Sequence, residues 1–263
     1  MGQEQDAVER DPLSYQLDLL VHLVRRSFLL RYKGSLLGVL WYLLLPLSQL
    51  IVLVFLFRKV VPLNIDAYPA FVFTALLPWN WFGVAVSSAG GLFLGNRDLV
   101  RRPNFTPWIL TIVNTLSHLL TYVLFLPVLF VFLLLWGREV TPWLLLLPLL
   151  ILLQGVLIAG LGLIIGTLNV FYRDVEHIVS VAVMLLFYLT PVFYRSDMVG
   201  EKYRLLYDLN PMAVLIESYR AILYQAVAPE WNSLLVAGSA CLGVCGLGYL
   251  VYRYQLHNVF DTL

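Results

Sequence analysis

The sequence predicts an all-α integral membrane protein with six transmembrane helices. Of its 263 residues, 60% are hydrophobic and only 13% are charged, whereas a soluble domain carries about 25% charged residues. No Lys, Arg, Asp or Glu occurs between Lys33 and Arg58, and this run exceeds the roughly 20 residues that cross a bilayer as a helix. The net charge of +1 argues against nucleic acid binding through bulk electrostatics.

A basic amphipathic segment precedes the first apolar run. We expect a helix over residues 11–33, with Asp11 as N-cap and Pro12 in the first turn. Apolar side chains recur at helical spacing along one side: Leu17, Leu20, Val21, Val24 and Phe28. Such a helix lies on the membrane surface, and the basic residues that follow it place the N-terminus in the cytoplasm.

Six apolar runs then form a predicted core over residues 36–252. The predicted spans are Leu36–Phe57, Tyr68–Leu94, Trp108–Trp136, Trp143–Leu168, Ile178–Tyr194 and Leu234–Tyr252. An even number of spans puts both termini on one side of the membrane. Basic residues concentrate at the first span and in the loop between the second and third, so we expect both termini to be cytoplasmic.

The segment between the fifth and sixth spans, residues 195–232, does not fit a simple loop. Asn210 and Pro211 interrupt it, and the apolar piece that follows contains Glu217 and Arg220. That piece is short for a span and apolar for a solvated loop. We expect two short helices that enter the outer leaflet and are buried against protein. Glu217 and Arg220 have the spacing of a local pair on one helix face, and a gate role is equally open.

Charged loop residues have two interpretations each. The loop Gly95–Pro107 either docks on a partner as a short helix or anchors the topology. Its charged side chains are Arg97, Asp98, Arg101 and Arg102. Asp174, which follows Arg173 before the fifth span, either caps that helix or contacts a partner. Ahead of the first span, Arg25, Arg26, Arg31 and Lys33 either anchor the topology or contact an anionic lipid headgroup or a pyrophosphate.

Aromatic residues inside the spans are candidates for packing or for lining a channel. Helical spacing places Trp79 and Phe82 near one face of the second span, while Trp81 points elsewhere. We therefore predict that Trp81 packs, and that Trp79 and Phe82 line a channel together with Trp41 and Tyr42.

Several kinds of chemistry lack a sequence signature. The chain has no Walker A pattern, the common device for binding nucleotide phosphates. Its four histidines have no metal-ligand spacing, and no serine nucleophile elbow occurs. The predicted spans contain almost no ionisable residues except at their ends. This pattern argues against a proton or sodium relay and favours a conduit that another protein powers.

Five short motifs together resemble the ABC-2-type permeases that export polysaccharides such as O-antigen, capsule and teichoic acid. They are Arg31-Tyr32-Lys33-Gly34-Ser35 with Trp41 and Pro46, Leu76-Leu77-Pro78-Trp79, Phe171-Tyr172-Arg173-Asp174, Thr190-Pro191-Val192, and Leu209-Asn210-Pro211-Met212. The motifs occur in the family's order and cover almost the whole chain.

The resemblance implies a homodimer of this chain with two copies of a separate ATP-binding subunit. That subunit would hold ATP and Mg, and this chain would bind no cofactor. The implied cargo is a polysaccharide on a polyprenyl pyrophosphate, exported across the inner membrane. The implied ATPase-coupling residues are Arg97, Asp98, Arg101, Arg102, Arg173 and Asp174. The implied outer gate contains Asn210, Pro211, Glu217 and Arg220.

Three other functions are alternatives to this interpretation. An ABC-2-type exporter of drugs or other lipids would have the same fold. A polyprenyl-phosphate membrane transferase would need clustered acidic residues or arginines at one membrane face, and the sequence contains no such acidic cluster. A secondary flippase typically contains internal repeats, which this sequence does not show.

Overall fold

The computed structural model describes residues 12–102 and 105–262, and all the regular secondary structure in that part is helical. Asp11, the expected N-cap, lies outside the described residues, as do Pro103 and Asn104 of the predicted coupling loop. The helices are α1 Pro12–Tyr32, α2 Leu40–Phe55, α3 Tyr68–Ser87, α4 Leu92–Gly95, α5 Arg97–Val100, α6 Trp108–Leu135, α7 Leu147–Phe171, α8 Val175–Leu189, α9 Glu201–Asp208, α10 Pro211–Arg220 and α11 Trp231–Thr262. Single π-helical turns extend α2 over Leu56–Val60 and α10 over Ala221–Gln225.

Five helical segments in the described residues are long and apolar enough to cross a membrane. They are Leu40–Val60, Tyr68–Ser87, Trp108–Leu135, Pro142–Phe171 and Trp231–Leu256. The remaining predicted span corresponds to α8, which is apolar but has 15 residues. At ~1.5 Å per residue its length is about 22 Å, less than the roughly 30 Å of a bilayer core.

The first two predicted spans have wrong boundaries. The first begins at Leu40 rather than Leu36, because Gly34 and Gly38 adopt positive φ angles of 79° and 53° that break the helix between α1 and α2. The second ends at Ser87 rather than Leu94. Two consecutive glycines, at 90 and 91, follow this end, and glycine is a poor helix former.

The fifth predicted span is also shorter than expected. It begins at Val175 and ends at Leu189 rather than Tyr194. Thr190 has φ −91° and ψ 138°, since a residue before proline is restricted to extended backbone. Beyond this stop the chain forms α9 and α10, so two short helices occupy the predicted region 195–232.

The helix α3 lies at the centre of the bundle. Eighteen of its residues are buried, and α2, α6, α7, α8 and α10 all contact it. The most extensive helix contact among the described residues is between α7 and α11, where a Cβ atom at Gly160 would lie 2.6 Å from the Cα of Cys245. Backbones can approach this closely because glycine has no side chain.

The bundle has two ends that carry different short elements. At one end, which we call the α5 end, α4 packs against α6 and α7 and is followed by α5, while Gly90, just before α4, lies against Glu176 of α8. At the other, which we call the α10 end, the loop before α3 and the loop after α6 meet α10 through Asp66, Arg138 and Tyr224.

Candidate transport site

The α5 end presents the charged residues of the predicted coupling loop. Phe93 and Val100 are fully buried in one apolar cluster with residues of α6, α7 and α11. This anchoring turns the charged side chains outward, and those exposed are Arg97, Asp98, Arg101 and Arg102. Arg173 and Asp174, between α7 and α8, are exposed as well. The arrangement provides a charged surface on a fixed apolar base.

The expected capping role of Asp174 is wrong. Asp174 occupies the N-cap position of α8, but within the described residues its side chain accepts no hydrogen bond from this helix. Asn169 of α7 acts instead, because its Oδ1 accepts the N–H of Glu176 at 3.1 Å. Its Nδ2 donates to the carbonyl of Gly90 at 2.9 Å. The sequence signal was a polar amide near the end of an apolar run, since a buried amide needs partners.

The four basic residues ahead of the first span are all exposed, and Arg31 also joins α1 to α6. Its Nη1 lies 3.0 Å from Nδ1 of His118, and its Nη2 donates to Oγ of Ser117 at 3.3 Å. Because a guanidinium can only donate, Nδ1 of His118 is the acceptor and the imidazole proton is on Nε2. Arg25, Arg26 and Lys33 are exposed.

The aromatic residues of α3 face two ways, as predicted. The rings of Trp79 and Phe82 lie 5.4 Å apart, and Trp79 packs against Phe187 of α8 at 5.7 Å. Trp81 instead stacks on Tyr122 of α6 at 5.3 Å. Their predicted common face is thus confirmed. Both Trp79 and Phe82 are buried within the single chain, so the boundary between α3 and α8 is closed here.

The two predicted channel residues of α2 have different environments. Trp41 is exposed, whereas Tyr42 is half-buried and stacks on Phe125 with a centroid distance of 6.1 Å. Further aromatic contacts continue from Phe187 toward the α10 end. In order, the rings that touch are Phe187, Phe193, Phe57, Tyr68, Phe71 and Tyr224, with centroid distances of 5.4 to 6.2 Å.

Asn210 and Pro211 shape the start of α10. Oδ1 of Asn210 accepts the backbone N–H groups of Met212 and Ala213 at 3.0 and 3.4 Å, which is the usual role of an N-cap asparagine. Its Nδ2 donates to Oγ1 of Thr190 at 3.2 Å. Pro211 takes the first helical position, where its missing N–H is tolerated. This cap therefore connects α10 to the end of α8.

Arg220 is fully buried at the end of α10 and forms the predicted local pair with Glu217. The atoms Nη1 and Oε1 are 3.0 Å apart. Nη2 donates to the carbonyl of Val192 at 2.6 Å, Nη1 donates to that of Tyr194 at 3.3 Å, and the guanidinium lies 3.7 Å from the ring centroid of Phe71. Burial lowers the pKa of Arg220 to about 10, and Glu217 opposes this shift, so the group stays charged at neutral pH.

A cavity of about 520 Å³ lies beside this region, between α9, α10 and the start of α11. Its lining is rich in carboxylates, which come from Asp197, Glu201, Asp208, Glu217 and Glu230. Within the part of the chain that the structure describes, no group of three His, Cys, Asp or Glu residues is arranged to hold a metal ion.

Comparison with known proteins identifies the family. The model of the ABC-2 type transporter family matches residues 18–224. This range contains most of α1 and all of α2 to α10. The chain belongs to the ABC-2 type transporter family. This ABC-2 chain is 33% identical over 247 residues to an "O-antigen export system permease protein RfbA" of Klebsiella pneumoniae, with 92% of this chain and 95% of that protein aligned. It is 37% identical over 219 residues to a protein of the same name from Myxococcus xanthus, with 82% and 84% aligned.

Proposed function

We propose that the chain is the membrane-spanning permease subunit of an ABC transporter that exports an O-antigen-like polysaccharide. The observation that carries this proposal is the near full-length similarity to O-antigen export permeases. The cargo is proposed to be linked to a polyprenyl pyrophosphate and to leave the cytoplasm across the inner membrane. The pyrophosphate would meet Arg25, Arg26, Arg31 and Lys33, since guanidinium and ammonium groups form charge-assisted hydrogen bonds with phosphate oxygens.

The proposed assembly contains two copies of this chain and two ATP-binding subunits, which would hold ATP and Mg. Each chain would cross the membrane six times, with α8 as the short fifth span, and α9 and α10 would dip into the outer leaflet as a gate. Both termini would then be cytoplasmic. Single cysteines in place of Asp98 and Lys202, in a variant without the native cysteines, test this topology. An impermeant thiol reagent on whole cells should label position 202, and labelling of position 98 instead would contradict the orientation.

The proposed ATPase contact is the exposed surface of the α5 end. Reversal of Arg97, Arg101 and Arg102 to Glu should weaken copurification of the ATPase or lower export, because it inverts the charge of the proposed contact surface. The fold should be kept, since the buried anchors Phe93 and Val100 are untouched. Reversal of Lys202 and Arg204, exposed residues of α9, is the matched control for ATPase copurification. If the triple reversal leaves ATPase binding and export at wild-type levels, the loop is a topology anchor.

The proposed conduit runs along the boundary between α3 and α8. Trp79 and Phe187 close this boundary in the single chain, so passage of a polymer requires the two helices to separate. The exposed Trp41 and half-buried Tyr42 of α2 would contribute the remaining aromatic lining. Aromatic faces would let sugars slide past without strong fixed contacts.

Deletion of the gene tests the proposed function directly. If the chain exports a polysaccharide, the mutant should lose surface glycan and accumulate lipid-linked glycan inside the cell. A plasmid-borne copy of the gene should restore both to wild-type levels. The purified chain should hydrolyse no ATP by itself, because it has no Walker A pattern. Normal surface glycan together with increased drug sensitivity would instead favour the drug-exporter alternative.

A further inference from the structure

Three elements of the α5 end meet at one buried amide. Asn169, in the last turn of α7, is 1% exposed. It donates to the carbonyl of Gly90, which lies two residues before α4, and accepts the N–H of Glu176 in the first turn of α8. One side chain therefore joins the segment that leads into the charged short helices to the start of the helix that closes the aromatic boundary.

The backbones are also close at this point. A Cβ atom at Gly90 would lie 3.0 Å from the Cβ and 3.3 Å from the Cα of Glu176. These separations are tighter than nine in ten real Cβ contacts, so the backbone at Gly90 packs directly on the start of α8. A displacement of the segment around Gly90 would reach α8 through contact as well as through the amide.

We propose that Asn169 is a positioning residue that transmits movement from the α5 end to α8. The proposal rests on the proposed function, in which the exposed charges of α5 and of the two arginines after it receive the ATPase and α8 moves away from α3. A force on α5 would pull the Gly90 carbonyl, and the amide would carry that displacement to the first turn of α8. Coupling of this kind needs a physical element that both sites bias. Asn169 is hydrogen-bonded both to the Gly90 segment and to the first turn of α8.

The alternative is that Asn169 only satisfies buried backbone groups. Gln154 provides a matched control, because it lies on the same helix α7, is fully buried, and donates to the carbonyl of Pro78 in α3 at 2.8 Å. That hydrogen bond does not involve α8. Loss of Gln154 removes a buried hydrogen bond to α3, and loss of Asn169 removes one to the segment between α3 and α4. Only loss of Asn169 also removes the hydrogen bond to α8.

The test compares Asn169→Leu with Gln154→Leu in the complex of permease and ATPase in proteoliposomes. ATP hydrolysis and glycan export are measured on the same samples. We expect Asn169→Leu to keep ATP hydrolysis within about twofold of wild type and to raise the ATP consumed per glycan exported by at least about fivefold, the lower end of typical allosteric coupling. Gln154→Leu should keep the wild-type ratio, since a structural loss lowers both activities together.

A second pair of variants protects the test against misfolding of Asn169→Leu. Gly90→Ala forces a methyl group against Glu176, whereas the corresponding position at Gly91 has no described atom within 4 Å. We expect Gly90→Ala, and not Gly91→Ala, to raise the same ratio. Wild-type ratios in both Asn169→Leu and Gly90→Ala would overturn the proposal. A wild-type complex that neither exports glycan nor hydrolyses ATP would instead refute the proposed function.

Discussion

Substitution of Arg220 by methionine should destabilise the α10 end strongly. The change removes a buried guanidinium and leaves the carbonyls of Val192 and Tyr194 without this donor. Breaking a buried charge pair by removal of one partner costs about 3–5 kcal/mol. The side chain of Glu217 is 33% exposed, so water can replace the guanidinium there. We therefore expect the lower end of this range, about 3 kcal/mol, mainly from the two carbonyls.

Thermal unfolding of the purified complex measures this effect. For a chain of this size about 1 kcal/mol lowers the melting temperature by 2–4 °C, so we expect a decrease of about 6–12 °C for Arg220→Met. The melting temperature of Arg220→Lys should fall between those of the wild type and Arg220→Met, because a single ammonium does not reproduce the planar fork of donors. Glu217→Gln is the control, since it keeps an acceptor for Nη1 and leaves both carbonyl contacts of Arg220 in place, so we expect a smaller decrease in melting temperature than for Arg220→Met.

The two carbonyl contacts would be shown to be unimportant if Arg220→Met melted within about 2 °C of the wild type. A larger loss of export for Glu217→Gln than for Arg220→Met, at equal protein abundance, would also contradict our reasoning. In that case the charge of Glu217, rather than the anchoring of the chain after α8, would be the property that transport requires.

Three further predictions concern packing and capping. Trp81→Ala should sharply lower the abundance of the protein in membranes on immunoblots, because truncation of a fully buried tryptophan costs about 3–5 kcal/mol. Trp79→Ala should lower surface glycan more than protein abundance. Equal loss of abundance in the two variants would count against the proposed conduit. Gly160→Leu should abolish the peak of the assembled transporter in size-exclusion chromatography, because its side chain would overlap the backbone of α11. Gly243→Leu, with no described atom near its Cβ position, should assemble normally. Asn210→Ala should lower the melting temperature by roughly 2–4 °C, since loss of an N-cap costs about 1 kcal/mol.

Features that depend on neighbours in the sequence could be predicted without the structure. The apolar runs identified the membrane class and the approximate positions of the helices, because hydrophobic length is a local property. The spacing of three residues brought Glu217 and Arg220 together, and the same periodicity separated Trp81 from Trp79 and Phe82. Helix ends were less accurate where glycines or a proline interrupted an apolar run, as at the end of α3 and the end of α8.

Contacts between distant parts of the chain were decided by the tertiary structure. Asn169 replaced Asp174 as the cap of α8 because packing of α7 beside α3 brings its amide to the Gly90 carbonyl, 79 residues away in sequence. Arg31 meets His118 across 87 residues, and Arg220 meets the Val192 carbonyl across 28. Hydrophobic periodicity specifies which face of a helix is buried but not which helix covers it. The partners of a buried polar group therefore follow from the packing of the whole bundle.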